Sequence, residues 1–261
     1  LSLWDKKEIS LAVDQNFVIE NLNQFDSTLQ LALKARKEQH PHVRVQGIKV
    51  FMDGALGSEG ALLSRDYPSG SGKGLALLSE HHLRDILIRT WEVGLAVSVH
   101  VIGDESVHRV VKTAHQLMIE GFQGQLHLEH VEILRHETLV LMKDLSVQCH
   151  LQPCHWLSDK KWLKSKIGSL YSLAFPWGAL EKVQVPFYFG SDSPIESPSV
   201  INNLHALADS RLNGISPLRG DPLKHHSHPS GFNWLPECYS EFCDKGRPIK
   251  VVFCGRELTN D

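Results

Sequence analysis

The stretch VSVHVIGD, Val97 to Asp104, decides the fold class of this chain, because a branched apolar run leads into a histidine, a turn and an aspartate. Valine and isoleucine favour strands, and a run that is apolar on both faces is typical of a strand buried in a parallel sheet. A buried imidazole needs a partner, so His100 either forms a hydrogen bond within the core or binds a ligand. Asp104 stands where the next helix is expected to begin.

The same unit recurs along the chain, since short branched runs alternate with amphipathic segments between residues 42 and 192. Strands are predicted at Val43–Met52, Leu95–Ile102, Gln125–Val131, Ser146–Gln152 and Val185–Gly190. Helices are predicted at Ser79–Val93, Glu105–Ile119, His136–Lys143 and Pro176–Lys182. Repeated strand–helix units predict parallel strands and therefore an α/β fold, either an open sheet or a closed barrel.

The pattern divides the chain into three segments. Residues 1–41 are predicted to be mainly helical, without a strand, and residues 42–212 to form the α/β portion. Residues 213–261 are predicted to be rich in loops, with one further strand and turn near Ile249–Leu258. A closed barrel needs eight strands and five are legible, so the chain is expected to be part of a larger molecule.

Composition excludes several classes of function. A net charge of −3 argues against a nucleic-acid surface, and no apolar run is long enough to cross a bilayer. The five cysteines are odd in number and lack CxxC spacing, which predicts reduced thiols and a cytoplasmic protein. Sixteen histidines permit metal chemistry. One histidine cluster, at residues 224–228, is interpreted as an exposed loop.

Four residues at the C-terminal ends of predicted strands carry the chemistry: Lys49, His100, His130 and Asp192. Active sites of α/β barrels are built at this end of the strands. Side-chain alternation places His130 on the face of Leu128, and in a barrel such faces can point inward. Two imidazoles and a carboxylate form a site of the kind that binds Zn²⁺ and leaves a position for water. Each residue taken alone also has a structural interpretation, such as a core hydrogen bond or a helix cap.

Five ordered segments strengthen the metal interpretation: GIKVFMDGALGS, VSVHVIGD, LEHVEIL, HLQPCHWLSD and FGSDSPIESP. Together they resemble the metal-dependent amidohydrolase superfamily, and within it the amidohydrolase-3 (YtcJ-like) family. The resemblance implies a (β/α)8 TIM-barrel fold, of which strands four to eight are legible here. It also implies a hydrolase that acts on C–N bonds of non-peptide, small-molecule amides through a metal-activated water.

The resemblance further implies a role for each site residue. Lys49, in carboxylated form, His100, His130 and Asp192 would hold one or two divalent ions, with zinc as the expected metal, and Asp192 would be the general base. The residues implied on the substrate side are Asp53, Gln152, His155, Asp159 and Trp156. Trp156 has an alternative role, which is to pack a helix onto the barrel.

The largest departure from this family is an absence. Its members carry an HxH pair on the first strand, and no predicted strand before Lys49 carries one; the HxH of His40, Pro41 and His42 lies ahead of the strand predicted from Val43. The segment 213–261 would then be a remnant of the flanking β-sandwich. An alternative is an inactive or split barrel fragment that serves as a scaffold or subunit, because the open edges of a partial barrel need a partner. A homo-oligomer or a separate N-terminal half would supply that partner.

Overall fold

The computed structural model describes residues 13–38, 40, 43–215, 218–219, 222, 239–242, 248–253 and 256–257. Its central element is a six-stranded sheet in which each strand lies parallel to the next one in the chain. The strands are β1 (Val13–Val18), β2 (Val43–Phe51), β3 (Ala96–Val101), β4 (Leu126–His130), β5 (Val147–Leu151) and β6 (Phe187–Phe189). Consecutive parallel strands in chain order are the arrangement of a (β/α)8 barrel segment, so the predicted α/β fold and partial barrel are confirmed.

Eight α-helices belong to the described part of the chain. They are α1 (Phe25–Lys37), α2 (Glu80–Glu92), α3 (Asp104–Ile119), α4 (His136–Met142), α5 (Pro153–Asp159), α6 (Leu163–Ile167), α7 (Trp177–Lys182) and α8 (Val200–Leu212). The four predicted helices and five predicted strands are all present. None of these helices has the length and apolar character that a membrane span requires.

The expectation that residues 1–41 lack a strand is wrong, because β1 pairs in parallel with β2 from Val13 to Val18. The sequence of β1, VDQNFV, has three consecutive polar residues between its apolar ends, and none of its side chains is fully buried. It is an edge strand, held by its ladder to β2 rather than by an apolar face. The predicted helix in this segment is present as α1.

A second sheet follows near the C-terminus. Strands β7 (Tyr239–Phe242), β8 (Pro248–Phe253) and β9 (Arg256–Glu257) pair in antiparallel fashion. The strand and turn predicted near Ile249–Leu258 therefore correspond to β8 and β9. The histidine cluster at residues 224–228 lies outside the described residues. The division into three segments stays a prediction.

The two faces of the large sheet differ in polarity. One face is apolar and fully buried, with Val97, Val99 and Val101 of β3 packed among residues of α2 and α3. Paired residues of parallel strands point to the same side, so the opposite face carries two rows of mostly polar residues. The rows are Lys49, Ser98, His127 and Gln148, and then Phe51, His100, Glu129, His150 and Tyr188. This polar face positions the candidate site.

Candidate metal centre

Three of the four predicted ligands meet at the C-terminal edge of the sheet. The rings of His100 and His130 have centroids 4.5 Å apart in an edge-to-face arrangement. Lys49 Nζ lies 5.6 Å from the centroid of the Phe51 ring, and that ring lies 5.3 Å from the ring of His100 between centroids. Lys49 and His100 belong to neighbouring rows of the polar face, so the sheet register brings them together.

His130 reaches this place through an unusual backbone. It has a φ of 76°, and the following Val131 has a φ of 47°, both in the left-handed region. Such conformations cost about 1 to 3 kcal/mol in residues other than glycine. They interrupt the side-chain alternation of β4, so Leu128 lies in the apolar core while His130 lies against His100. The expectation that His130 shares the face of Leu128 is therefore wrong.

In each of these two imidazoles, one side of the ring is held by a contact with a protein group and the other nitrogen remains. Nδ1 of His130 lies 2.9 Å from Oε1 of Gln152, and an amide oxygen only accepts, so Nδ1 carries the proton. His100 forms a backbone hydrogen bond with Gly54, and its buried Nε2 has no hydrogen-bond partner but lies 3.9 Å from Oδ1 of Asp53. An imidazole held in this way presents its free nitrogen to a ligand.

Burial favours the neutral, ligating form of both histidines. Burial, together with the charge of Lys49, lowers the pKa of His100 to about 4. Burial and the neighbouring His100 hold the pKa of His130 well below its usual range. Burial also raises the pKa of Glu129, although Lys49 Nζ, 3.9 Å from Glu129 Oε1, opposes that change. At neutral pH the two imidazoles are therefore available as metal ligands.

Asp192 lies just after β6, at the end of the sheet where His100 and His130 also lie. Its side chain is exposed and its φ is 56°. The loop is held by Asn203, whose Nδ2 donates to the carbonyl of Gly190. Asp192 is therefore the exposed member of the predicted ligand set.

The sequence analysis missed one residue of the site, Glu132. Its Oε1 accepts from Nδ1 of His155 at 3.0 Å, while Glu132 Oε2 and His155 Nε2 are buried without a hydrogen-bond partner. The rings of His155 and His130 are stacked with centroids 5.8 Å apart. One ligand atom from each of His130, Glu132 and His155 lies within 4.8 Å of the others. The available signal was a carboxylate two residues after a predicted histidine ligand.

Two predicted substrate residues serve as supports in the structure. Gln152 holds His130 with its oxygen and donates its Nε2 to the carbonyl of His150. Asp53 is 1% exposed and accepts hydrogen bonds at both oxygens, and its partners are Leu62 N, Ile102 N, Gly103 N and Ser106 Oγ. Burial raises the pKa of Asp53 to about 6 against the effect of these bonds. Asp53 thus ties the loop after β2 to the start of α3, and its Oδ1 lies 3.9 Å from Nε2 of His100.

Two further predicted residues lie on α5. Trp156 is 1% exposed, its Nε1 donates to Asp209 at 2.8 Å, and its ring contacts Phe175 edge to face. These contacts match the packing role left open for it, and a contact with substrate stays a prediction. Burial and the charge of Glu132 raise the pKa of Asp159 to about 7. Asp159 therefore adds a carboxylate one helical turn beyond His155.

Comparisons with known proteins agree with this geometry. The model of a family described as the amidohydrolase family matches residues 11–221. YtcJ of Bacillus subtilis, an amidohydrolase by its assigned name, is 29% identical over 158 residues. The protein LONG AFTER FAR-RED 3 of Arabidopsis thaliana is 25% identical over 166 residues. These alignments include 60% and 62% of the chain.

Two solved structures support the fold. An uncharacterized metal-dependent hydrolase from Pyrococcus horikoshii has a TM-score of 0.69 and 25% identity, with 82% of the chain covered. A second, from Pyrococcus furiosus, has a TM-score of 0.67, 25% identity and 79% of the chain covered. The chain spans 30% and 28% of the two curated relatives and 42% of each solved structure. It therefore corresponds to less than half of each of these proteins.

Proposed function

Because the chain belongs to the amidohydrolase family, we propose that it acts as a metal-dependent hydrolase of C–N bonds in small-molecule, non-peptide amides. The observation that carries the proposal is the pairing of His100 and His130. His130 is buried and His100 is partly buried, both have a lowered pKa, and each is anchored on one side of its ring. Neutral imidazoles in this state, close to a lysine and an exposed carboxylate, fit a divalent cation.

The ligand set of the proposal is Lys49, His100, His130 and Asp192. Nε2 of His100 forms no hydrogen bond within the protein, although Asp53 Oδ1 lies 3.9 Å away, and this supports the assignment. Imidazole nitrogens and carboxylate oxygens favour zinc over calcium or magnesium, so zinc is the proposed metal. A bound zinc ion lowers the pKa of water and polarises a substrate carbonyl.

Lys49 must be chemically modified before it can act as a metal ligand. As an ammonium it pairs with Glu129, whose Oε1 lies 3.9 Å from Nζ. Carboxylation would give it two oxygens, and the raised pKa of Glu129 favours the protonated acid that can donate to them. We include carboxylated Lys49 in the proposal on this basis.

Asp192 is proposed as the general base. Its exposed carboxylate accepts the proton of the attacking water and returns it to the departing amine nitrogen. Gln152 keeps His130 in one tautomer and one orientation through the cycle. The proposal keeps His155, Asp159 and Trp156 at the substrate side of the site, and Asp53 behind it.

The state of the cysteines concerns the cellular compartment of the protein. Cys149 and Cys154 are free and buried, and burial raises the pKa of both thiols. Thiols kept reduced in this way are typical of a reducing compartment, so the proposal includes the cytoplasm.

A second candidate is a barrel fragment that works only as a subunit. Within the described residues, β1 and β6 each have a strand on one side alone, so both edges of the sheet are open. Open edges favour association with another copy or with a separate N-terminal half. This reading predicts an empty metal site in the isolated chain.

The test loads the chain with Zn²⁺, dialyses away the excess, and measures bound zinc and amine release from a panel of N-acyl amines and short peptides. The expected result is about one zinc per chain or more, and hydrolysis of N-acyl amines that a chelator stops and zinc restores. His108→Gln is the control, since this imidazole bonds to Thr138 between α3 and α4, away from the site. Absence of bound zinc, or zinc without chelator-sensitive hydrolysis, would overturn the proposal.

A further inference from the structure

His155 is unusual because one of its ring nitrogens forms no hydrogen bond within the protein. Its Nδ1 is bonded to Glu132, and its Nε2 is buried without a hydrogen-bond partner. The ring lies parallel to that of His130, with an interplanar angle of 15° and a centroid distance of 5.8 Å. A buried polar atom without a hydrogen bond costs about 1 to 3 kcal/mol, so the unpaired Nε2 of His155 needs an explanation.

The proton position on His155 follows from its neighbour. Glu132 is 4% exposed and its carboxylate is an acceptor, so Nδ1 of His155 is the donor in the 3.0 Å bond. In the neutral ring, Nε2 then has a lone pair, which is the form that binds a metal. A carboxylate behind a histidine is the usual partner of a metal-bound imidazole, because it fixes the ring and raises its basicity.

His100, His130 and His155 share one pattern. In each, one side of the ring contacts a protein group, and these groups are the backbone of Gly54, the amide oxygen of Gln152 and the carboxylate of Glu132. For two of the three, His100 and His155, the remaining nitrogen is buried and unpartnered. The rings of His100 and His130 lie 4.5 Å apart and those of His130 and His155 lie 5.8 Å apart between centroids, a grouping that resembles the three-histidine sites that bind zinc.

We propose that His155 is a third imidazole ligand of the cation, through Nε2, and that Glu132 is the positioning residue that holds it. The inference rests on the proposed function, and it changes the role of His155 from substrate contact to metal ligand. Geometry supports it, because one ligand atom from each of His130, Glu132 and His155 lies within 4.8 Å of the others.

The second carboxylate oxygen of Glu132 is itself a potential metal ligand. The experiment must therefore distinguish a positioning role of Glu132 from direct ligation of the cation. Glu132→Gln keeps an oxygen that accepts from His155 Nδ1 but removes the charge, whereas Glu132→Ala removes the bond itself. A positioning role predicts that Gln retains most of the zinc affinity and that Ala loses about 10- to 100-fold. Equal, severe losses in both variants would instead make Glu132 a ligand and overturn the positioning role.

The main experiment measures zinc affinity by chelator competition and counts imidazole ligands by X-ray absorption at the zinc edge. The variants are His155→Ala, His100→Ala and the control His108→Gln, each checked for folding by circular dichroism. Wild type and control should show three imidazoles, and His155→Ala two, with zinc affinity lower by more than about 100-fold. If His155→Ala fails to fold, the wild-type count still decides between three imidazoles and two.

The outcomes separate the inference from the function beneath it. A wild-type chain that binds zinc and loses it in His100→Ala, but keeps wild-type affinity and ligand count in His155→Ala, overturns the inference alone. A wild-type chain that binds no zinc overturns both.

Discussion

Two groups of histidines, one at the C-terminal edge of the sheet and one on its polar face, differ in what their ring nitrogens contact. The rim histidines, His100, His130 and His155, are each anchored by a group that is not a histidine. The wall pair, His127 and His150, contact each other, with His127 Nδ1 2.9 Å from His150 Nε2. His127 Nε2 also lies 3.5 Å from the amide nitrogen of Gln46.

The difference shows that burial and residue type do not by themselves identify a ligand. The wall pair forms contacts within the protein, which is the ordinary state of buried imidazoles. The rim histidines keep nitrogens that the protein leaves unpartnered, at His100 and His155. What distinguishes a ligand is therefore whether the second ring nitrogen has a partner within the protein. Variants of the rim histidines and of the wall pair should behave differently.

The largest expected effect is the contrast between His130→Ala and His150→Ala. His130→Ala removes a ligand from the rim group and should abolish zinc binding and hydrolysis. His150→Ala breaks a contact within the wall and should lower stability while zinc binding is retained. Zinc content after dialysis and urea unfolding measure both effects. Equal zinc loss in the two variants would remove the distinction between the groups.

Asp192→Asn tests the exposed carboxylate that is proposed as the general base. An amide cannot accept the proton of the attacking water, so turnover should fall by about 10²- to 10⁴-fold. The residue is exposed, and the free energy of unfolding should change by less than about 0.5 kcal/mol. Hydrolysis at the wild-type rate would dispose of Asp192 as the base.

Gln152→Ala sharpens the comparison by removing an anchor rather than a ligand. His130 would lose the acceptor for its Nδ1 proton and its fixed orientation, so zinc affinity should fall by about 10-fold or more. Gln152→Glu keeps an acceptor oxygen at this position and should restore part of the affinity. Chelator competition gives both values, and unchanged affinity in Gln152→Ala would show that the anchor has no effect on the metal.

The smallest effect concerns Asp159, near the rim group, in the metal-free chain. Its pKa in the fold, about 7, lies above the 3.8 of an ordinary aspartate. Its stabilising contribution is therefore complete below pH 3.8 and is lost as the pH rises through about 7. Asp159→Asn should flatten this pH dependence and stabilise the chain at pH 8 by about 1 kcal/mol, a figure discounted for solvent screening.

Urea unfolding at pH 5 and pH 8 checks this prediction. Asp144→Asn, at an exposed position after α4, is the matched control and should leave the profile as in wild type. A profile for Asp159→Asn that runs parallel to wild type would contradict the assigned role of burial at this carboxylate.

Much of the fold could be predicted because strand and helix periods are local. The strands β2 to β6 have branched runs between turn residues, and Ser79 caps α2 by accepting from His82 N. The strand β1 could not be found in this way, since its stability comes from pairing with β2 and not from its own pattern. Local signals thus predicted the elements that bury an apolar face.

The site was predictable in part for the same reason. Lys49 and His100 come together as alternation and register require. The place of His130 depends on a left-handed backbone that no local pattern shows, and the role of Glu132 depends on His155, 23 residues away. The family resemblance placed Asp53 on the substrate side of the site. Its contacts with Leu62 and the start of α3 form only in the folded chain, so the sequence does not show them.

Anomalous diffraction from crystals of the chain grown with Zn²⁺ tests the central claim most directly, because it locates the ion among named side chains. The account predicts one strong zinc peak within coordination distance, about 2.0 to 2.1 Å, of Nε2 of His100, His130 and His155. A peak on His127 and His150 instead, or no peak at the rim, would contradict it.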